Sequence, residues 1–433
     1  MTRGSVAFVT ANTFEFDSRH RRAAEALARD GWTVVVVAMA ASHLPAEEAL
    51  PSGVVVRRPA VERRILAAVP RALRGIAGRL LGLDPDAERL PPRGAGFPEL
   101  VRAPLLRALE ILAYRGRIQP WAHAVRAAAP DARVFVAKAL VALPVAADVA
   151  RRRGGRYVYD IADLHVDSGR LAALPGAVKA YLRRREGRWL RGAAALLAVT
   201  PAMADEIAAR FGVDRPTVVM NARERWRASE PVPRPIRLRT SIGARIPAAR
   251  DVVIYQGAFR PDQGIDVLLA ALREPPLADR QVTAAFVGFG PLDTLLRGES
   301  AAAPDRIVVG SAVPPGELLT WTAGADVAFV GTPPVTRNQA LTTPNKLFEA
   351  AMAGVPVVVA DGTFTARLVR EHALGVVVDP WTPAAVGAAI AGLLDASPDE
   401  RDARRRAIRA TALESLNWDI ERKRLIDAFR SLG

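Results

Sequence analysis

The segment 342–362, TTPNKLFEAAMAGVPVVVADG, contains the residues whose types and spacing are best suited to chemistry. Lys346 and Glu349 stand one helical turn apart there, and lysine is rare in this chain, with only four lysines among its 60 basic side chains. Pro344 is tolerated in the first turn of a helix, and Gly354 is a common helix stop. The pattern therefore predicts a short helix over about residues 344–353.

The start of this predicted helix is suited to binding an anion. The backbone N–H groups of residues 343–346, apart from Pro344, which has none, and the helix dipole favour a phosphate at that position. Lys346 adds a positive charge, and Glu349 presents two acceptor oxygens that suit a pair of ribose hydroxyls. An ordinary surface pair between the same Lys and Glu would have the same spacing, so the residues alone leave both interpretations open.

Glycine-containing turns follow two predicted strands in the same half of the chain, in YQGAFRPDQGID and FVGFGP. Gly257, Gly288 and Gly290 permit the backbone to approach a ligand closely. Each pattern by itself is weak. Together with the 342–362 segment, these turns would lie at the carboxyl ends of parallel strands, where open α/β sheets bind ligands.

The elements that must position these residues alternate between apolar strands and amphipathic helices along most of the chain. Such alternation predicts an α/β fold with parallel sheets covered on both faces, and 433 residues are enough for about two domains. The predicted division is a doubly wound N-terminal domain, a Pro- and Arg-rich linker, a second Rossmann-like domain and a C-terminal helix that returns to the first domain, at 1–223, 224–250, 251–410 and 411–433. A basic helical insertion is expected at about 61–128.

The composition excludes several kinds of site. The chain has no cysteine, so disulfides, thiolate metal sites and cysteine nucleophiles are excluded, and a reducing cytoplasm is permitted. The five histidines lie far apart without metal-ligand spacing, so no metal is expected. The first residues, MTRGSVAFVTANTF, predict a strand rather than a signal peptide, and no uncharged apolar run reaches the roughly 18 residues of a membrane span. We expect a soluble or membrane-peripheral protein.

The formal net charge of +15 favours an anionic partner, although a codon bias towards arginine would also produce it. Segment 61–128 has 12 arginines against six acidic residues, and VKAYLRRREGRWLR, at 178–191, has six basic residues against Glu186 alone. Each segment is either a solvated helix of a globular domain or a surface that rests on anionic lipid. Nucleic acid is the weaker partner, because no recognition helix, zinc finger or RNA-binding sheet is indicated.

The order of these motifs resembles the nucleotide-sugar-dependent glycosyltransferases of group one, which are retaining enzymes of family four with the GT-B fold, two doubly wound Rossmann-like domains facing across a cleft. In the C-terminal half the resemblance is carried by YQGAFRPDQGIDVLLAAL, FVGFGP, VVGSAVPPGELLTWTAGADVAFVG, TTPNKLFEAAMAGVPVVVAD and LNWDIERKRLIDAF. In the N-terminal half it is carried by FDSRHRRAAEALARDGWTVVVVA, YVYDIADLH and LAVTPAMADEIAARFGVDRPTVVMNA. The resemblance covers most of the chain outside roughly 41–130.

The resemblance implies that the C-terminal domain binds a nucleotide sugar and the N-terminal domain binds the acceptor. Glu349 would bind the ribose hydroxyls, the loop before it would line the sugar and diphosphate, and the loops that contain Gly288 and Val313 would face the nucleobase. The predicted donor-binding residues are Gly257, Arg260, Gly288, Gly290, Val313, Thr342, Thr343, Pro344, Asn345, Lys346 and Glu349. No metal or other cofactor is implied, because the helix dipole and basic side chains take the charge of the leaving group.

The sequence departs from the family pattern at charged positions. Leu341 stands eight residues before Glu349, where many members have a second glutamate, although a related branch with PNKLFE also lacks it. Gln263 stands where an Arg or Lys is expected. Arg260 and Lys346 are therefore predicted to form a displaced clamp for the diphosphate.

On the acceptor side, the motif DIAD places Ala162 where the family often has a histidine. Asp163, His165 and Asp17 are the predicted catalytic residues, since each could hold an acceptor hydroxyl. Each also has a structural alternative, because an aspartate after a strand is often only a helix cap.

The leading interpretation is a retaining glycosyltransferase that moves a sugar from a nucleoside diphosphate donor to a hydroxyl of a glycan or glycolipid precursor. It would act in the cytoplasm, with a peripheral position on the inner face of the cell membrane as a further expectation from the basic segments. The alternative is a catalytically impaired GT-B protein that binds a nucleotide or a partner enzyme, which the departures at Leu341, Gln263 and Ala162 favour. An epimerase on the same fold would need acidic residues around the sugar, which the sequence does not show.

Overall fold

The computed structural model describes residues 3–61 and 118–432, apart from 236 and 243–245. Segment 62–117, which holds most of the predicted basic insertion, lies outside the described residues. The chain divides into two compact units, one formed by Met1–Val218 with Arg424–Gly433 and the other by Val219–Lys423.

The first unit is built on one sheet, whose strands within the described residues are β1 (Ser5–Val9), β2 (Thr33–Val37), β3 (Glu47–Ala49), β4 (Val55–Arg57), β5 (Val134–Ala137), β6 (Arg156–Ile161), β7 (Ala195–Ala198) and β8 (Thr217–Val218). Their order across the sheet is β3-β4-β2-β1-β5-β6-β7-β8. Neighbouring strands are parallel except β3 and β4. The central strands are rich in buried valine and phenylalanine, which suit a sheet covered on both faces.

Helices connect these strands. Those described are α1 (Ser18–Arg29), α2 (Gln119–Ala128), α3 (Leu143–Arg153), α4 (Gly169–Ala172), α5 (Gly176–Gly192) and α6 (Pro201–Phe211). Side-chain caps fix where two of them begin. The Asp17 carboxylate accepts from the backbone N–H of His20 at the start of α1, and the Thr200 hydroxyl accepts from that of Met203 at the start of α6.

The strand order of the first sheet reverses between β1 and β5. The chain passes from β1 to β2 on one side of β1 and later returns to β5 on the other. Loops after β1 and β5 therefore leave in opposite directions and open a crevice at the carboxyl ends of these strands, which is the usual binding position in open α/β sheets.

The second unit contains a parallel sheet, whose strands within the described residues are β9 (Asp251–Ala258), β10 (Val282–Phe289), β11 (Ile307–Ser311), β12 (Val327–Val330), β13 (Val357–Ala360) and β14 (Gly375–Val378). The order is β11-β10-β9-β12-β13-β14, so this sheet reverses between β9 and β12. The two doubly wound sheets confirm the predicted α/β fold class.

The helices described in the second unit are α7 (Arg237–Ser241), α8 (Ile265–Ala271), α9 (Asp293–Ala302), α10 (Leu318–Thr322), α11 (Arg337–Leu341), α12 (Asn345–Met352), α13 (Phe364–Glu371), α14 (Pro383–Leu394) and α15 (Pro398–Ser415). The segment 224–250, predicted as a linker, belongs to this unit and contains α7.

A last helix, α16 (Trp418–Arg430), begins in the second unit and ends in the first. In the first unit Phe429 packs edge-on against Trp32, with ring centroids 6.2 Å apart. The return to the first unit thus starts at Arg424, later than the predicted boundary at residue 411. None of the described helices combines the length and apolar character needed to cross a membrane.

The core of the second unit fixes the ends of β9 and β10. The rings of Tyr255, Phe259 and Phe286 pack against one another, with centroids 5.9 to 6.4 Å apart. All three side chains are fully buried. Aromatic packing of this kind holds the turns that follow both strands in one place.

Candidate functional site

The helix predicted in the 342–362 segment is present as α12, and Pro344 is its N-cap residue. Within the described part of the chain, no side chain caps this helix start. The hydroxyl of Thr343, just before it, is buried and has no hydrogen-bond partner among the described residues. Backbone N–H groups and a hydroxyl are thus available at one place, which suits an oxyanion.

Lys346, in the first turn of α12, is buried, with 8% of its surface exposed. Its Nζ donates a hydrogen bond to Oε1 of Gln263 at 3.0 Å and lies 4.1 Å from the centroid of the Tyr255 ring. Burial lowers the pKa of Lys346 to about 7, although the charge of Glu349 acts in the opposite direction. An ammonium group held by neutral partners keeps the capacity to bind an anion.

The predicted clamp of Arg260 and Lys346 has two unlike members. Lys346 brings its ammonium group to Gln263, the position where the family pattern has a basic residue. Arg260 is exposed and forms a two-point ion pair with Asp262, at 2.9 and 3.0 Å. Lys346 can bind an anionic ligand without breaking an ion pair. Arg260 would have to break its ion pair with Asp262 to bind the same ligand. The clamp stays a prediction.

Glu349 is also buried, with 5% of its surface exposed. Its Oε2 accepts a hydrogen bond from Nε2 of Gln256 at 2.6 Å, and its Oε1 lies 3.8 Å from a guanidinium nitrogen of Arg223. The other end of the Gln256 amide, Oε1, accepts from the hydroxyl of Thr322 at 2.6 Å. Because Lys346 and Glu349 are both buried, the alternative of an ordinary surface pair is wrong.

The glycines after β9 and β10 have a packing reason as well as a predicted binding role. A Cβ on Gly288 would lie 1.9 Å from the carbonyl oxygen of Gly257, so the approach of the two strand ends requires glycine there. A Cβ on Gly290 would lie 2.6 Å from the carbonyl oxygen of Phe259. Gly257 differs, because its φ of +121° disfavours other residues while no described atom lies within 4 Å of its missing Cβ. Of the three, Gly257 has open space beside it.

Other predicted donor residues lie in loops of the second unit. Val313 follows β11 and is half-buried. Thr342 is the C-cap residue of α11, and its hydroxyl donates to the carbonyl oxygen of Asn338 at 2.9 Å. Leu341, where the second glutamate is missing, is buried as the last residue of α11.

Polar side chains of the first unit gather around Asp17, after the carboxyl ends of β1 and β5. Asp17 accepts hydrogen bonds from Nζ of Lys138 at 2.6 Å and from Nδ2 of Asn12 at 2.9 Å. Burial alone would raise the pKa of Asp17, but His20 and Lys138 outweigh it and hold that pKa well below its usual range. Asp17 is therefore a helix cap whose carboxylate is already hydrogen-bonded. This is the structural role that the sequence offered as the alternative to a catalytic one.

Asp163 and His165 follow β6, and His165 begins a turn of 3-10 helix. Burial lowers the pKa of His165, although the charge of Asp163 raises it. The ring is hydrogen-bonded to the backbone of Lys138, and its Nε2 is buried without a partner in the described residues. Of the three predicted acceptor residues, His165 thus has a ring whose neutral form is favoured by burial and whose buried Nε2 has no hydrogen-bond partner among the described residues.

The first aspartate of DIAD has a structural role. Asp160 lies in β6 and accepts from the guanidinium of Arg19, with a shortest distance of 2.6 Å. Both side chains are buried. No three His, Asp or Glu side chains gather as metal ligands within the described residues. A metal-independent site stays a prediction.

The sequence did not predict the polar side chains that contact the predicted site residues. Gln256 and Arg223 lie next to Glu349, Thr322 hydrogen-bonds to Gln256, and Lys138 contacts Asp17. The sequence does contain a signal for Gln256, because it is a polar residue within the apolar strand VVIYQG. Arg223 gave no such signal, since it is the last residue of the predicted N-terminal domain, next to the irregular predicted linker.

Residues 250–396 match the sequence profile of the family described as Glycosyl transferases group 1. The matched segment lies within the second unit. A curated relative, the D-inositol 3-phosphate glycosyltransferase of Segniliparus rotundus, is 30% identical over 189 residues. The match spans 42% of this chain and 40% of that relative. The family resemblance seen in the motifs is confirmed.

Solved structures extend the likeness in fold over both units of this chain. Sucrose-phosphate synthase from Thermosynechococcus elongatus covers 99% of each chain, with a TM-score of 0.71 at 15% identity. HepE from Anabaena, in complex with UDP-glucose, covers 99% of this chain and 100% of its own, with a TM-score of 0.64 at 17% identity. At this level of identity they show the fold, and the predicted GT-B fold is confirmed.

Replacing Glu349 by alanine is expected to weaken the binding of a nucleoside diphosphate about 10-fold or more, because hydrogen bonds to a charged acceptor are worth about 1.5–3 kcal/mol. Titration calorimetry measures the affinity, and a melting curve checks that the protein stays folded. Glu371→Ala, at an exposed helical position in the same unit, is the matched control. Unchanged affinity in Glu349→Ala would remove the ribose assignment.

The affinity for a nucleotide sugar is expected to fall as the pH rises from about 6 to about 9, because free Lys346 loses its proton near pH 7 and the diphosphate requires the charged form. A nucleotide sugar is the suitable ligand, since a terminal phosphate would itself titrate near about pH 6. The charged groups that act on the pKa of Lys346 are Glu349, Arg260 and Asp262, and none of them is replaced in this experiment.

Lys346→Met is expected to bind the same ligand more weakly and to lose this pH dependence. Its melting temperature should be unchanged or higher at pH 7, because a buried cation without a charged partner is removed. Calorimetry in buffers of different protonation enthalpy measures the proton taken up on binding. If Lys346→Met still takes up a proton on binding, another group titrates, and the assignment of the pH dependence to Lys346 is contradicted.

Proposed function

We propose that this chain is a retaining glycosyltransferase that moves a sugar from a nucleoside diphosphate donor to a hydroxyl of a glycan or glycolipid precursor. The observation that carries this proposal is a buried ammonium and a buried carboxylate one turn apart on α12, each held by a different amide side chain. A nucleoside diphosphate has the complementary groups, namely phosphate oxygens beside a ribose diol.

In the proposed complex the diphosphate lies at the start of α12. The helix N–H groups and Lys346 would stabilise the negative charge that develops as the diphosphate leaves. Glu349 would accept hydrogen bonds from the ribose. HepE was solved with UDP-glucose, which supports a UDP-sugar as the first donor to test.

The first unit is proposed to bind the acceptor near His165. The ring is hydrogen-bonded to the backbone of Lys138, which leaves Nε2 as the nitrogen that can accept a hydrogen bond from an acceptor hydroxyl. Asp163 would add a nearby negative charge. Asp17 would contribute less directly, because Lys138 and Asn12 already occupy its carboxylate. Attack on the same face of the sugar as departure would retain the configuration.

The alternative of a catalytically impaired nucleotide-binding protein rests on the missing charged residues. The position of Lys346 weakens that alternative, because its ammonium group contacts the Gln263 side chain where a cation was expected. Leu341 and Ala162 remain departures from the family pattern. A turnover measurement separates the two functions.

A further element of the proposal is attachment of α5 to an anionic membrane surface. Arg184, Arg188 and Arg191 are exposed and follow one another at about one-turn spacing along this helix. Glu186 is buried and accepts a hydrogen bond from the hydroxyl of Tyr159, so its carboxyl group does not offset the exposed charges. Such a stripe suits anionic lipid headgroups.

A panel of nucleotides and nucleotide sugars is expected to raise the melting temperature for the correct donor, since only a bound state is stabilised. The same donor with a membrane extract should then give transfer of radiolabelled sugar to lipid-extractable or polymeric product. His165→Ala should abolish transfer while the melting shift with donor remains. Binding without turnover across the whole panel would contradict the enzyme and favour the impaired protein.

Binding to vesicles that contain phosphatidylglycerol is expected to decline as salt is raised, because the attraction between arginine and lipid is screened. The triple replacement of Arg184, Arg188 and Arg191 by glutamine should lower the sedimented fraction at low salt. The matched control replaces three exposed arginines of the second unit, Arg297, Arg367 and Arg406. Absence of sedimentation at low salt, or equal loss in both triple variants, would contradict attachment through α5.

A further inference from the structure

We propose that Gln256 and Thr322 are positioning residues that orient Glu349, and that they thereby set the preference of the site for a ribose over a deoxyribose. This inference rests on the proposed function, because it takes Glu349 as the group that receives the ribose hydroxyls. It assigns a role to two side chains that lie behind the carboxylate rather than against the ligand.

The three side chains form one buried chain of hydrogen bonds. The Thr322 hydroxyl lies 2.6 Å from Oε1 of Gln256, and Nε2 of Gln256 lies 2.6 Å from Oε2 of Glu349. Exposure is 0% for Thr322 and 5% for each of the other two. The three residues come from the end of α10, from β9 and from α12, so the chain ties three elements to one carboxylate.

Hydrogen-bond chemistry allows this chain in one direction. A carboxylate is only an acceptor, so Gln256 must present its NH₂ group to Glu349. The carbonyl oxygen of the same amide then faces Thr322, whose one hydroxyl proton is donated to this oxygen at 2.6 Å in competition with the carbonyl oxygen of Leu318 at 2.9 Å. A hydroxyl and an amide in this order specify a single orientation of the Gln256 side chain, and the Glu349 carboxylate is fixed in turn.

Arg223 gives this orientation a functional consequence. Its guanidinium lies 3.8 Å from Oε1 of Glu349, which is too long for a hydrogen bond but close enough to compete for the carboxylate. Gln256 holds the other carboxylate oxygen, Oε2. Without that anchor, a small rotation of Glu349 would close a direct ion pair with Arg223 and turn the acceptor oxygens away from a ribose.

The test compares the dissociation constants of UDP and 2′-deoxy-UDP, or of the adenine or guanine pair if that base binds more tightly, by titration calorimetry. The ratio of the two constants reports the ribose contact alone, because phosphate charge and Lys346 protonation are common to both ligands. The wild type is expected to prefer the ribonucleotide about 10-fold or more. In Gln256→Leu the ratio should fall towards one, while the deoxynucleotide affinity changes little.

Thr322 supplies a matched pair of variants. Thr322→Val keeps the side-chain shape and removes the donor, so it should lower the ratio in part. Thr322→Ser keeps the hydroxyl and should rescue the preference that Thr322→Val loses. A ratio that falls equally in both variants would indicate a packing effect and would overturn the role of the hydroxyl.

Gln256→Glu adds a pH readout and keeps the test valid if the leucine variant does not fold. Because Nε2 of Gln256 lies 2.6 Å from Oε2 of Glu349, this variant is expected to place two carboxyl groups side by side. Such a pair can hydrogen-bond when it shares a proton, and its members repel each other when both are ionised. The ribose preference of this variant should therefore be present at about pH 5 and lost at about pH 8, whereas the wild-type ratio stays nearly constant.

The outcomes separate this inference from the proposed function. If the wild type binds no nucleoside diphosphate, the proposed function is wrong, and the positioning role inferred from it is wrong as well. If the wild type prefers the ribonucleotide and Gln256→Leu or Gln256→Glu retains that preference at all pH values, the donor site stands and the positioning role is overturned.

Discussion

The candidate site of the second unit depends on two side chains of opposite charge type that are buried on one short helix. Each of them is held by a different partner. A direct ion pair between Lys346 and Glu349 would satisfy both groups and leave little attraction for a ligand. Amide side chains instead take the hydrogen bonds, Gln263 for the ammonium and Gln256 for the carboxylate. The amides carry no charge of their own and fix the positions of the two groups, so the region keeps one basic and one acidic side chain for a ligand that carries both kinds of complementary group.

The strand order of the second sheet makes this arrangement possible. β9 lies beside β12, where the order of the sheet reverses, so the turn after β9 and the chain that follows β12 meet at the same edge. β9 and its turn supply both amides, and α12 supplies both charges. The glycine at Gly288 lets the ends of β9 and β10 approach, because any Cβ there would overlap the Gly257 carbonyl oxygen. One sheet edge therefore gathers residues that lie far apart in the sequence.

Arginine and lysine serve different purposes in the second unit, because the two side chains differ in shape and in pKa. The planar guanidinium has five donors and can span several backbone carbonyls, which an ammonium cannot do. Arg306 donates in this way to the carbonyl oxygens of Leu272, Leu277, Ala278 and Arg280. Arg409 does so to those of Met352, Trp226 and Arg227. Lysine is the basic side chain whose pKa burial can bring near 7, as it does at Lys346, so its charge there can respond to a bound anion.

The sequence by itself determined the α/β alternation, the short helix after Pro344, the turns at Gly257 and Gly288, and the family resemblance, because strand and helix patterns and helix ends depend on neighbouring residues. Only the tertiary structure decided that Lys346 is buried, that Asp17 is a helix cap occupied by Lys138, and that Gln256 holds Glu349. These facts depend on contacts between residues 83, 93 and 121 positions apart, for Lys346 with Gln263, Gln256 with Glu349 and Lys138 with Asp17. A local pattern carries no information about such partners, since the order of strands in the sheet chooses them.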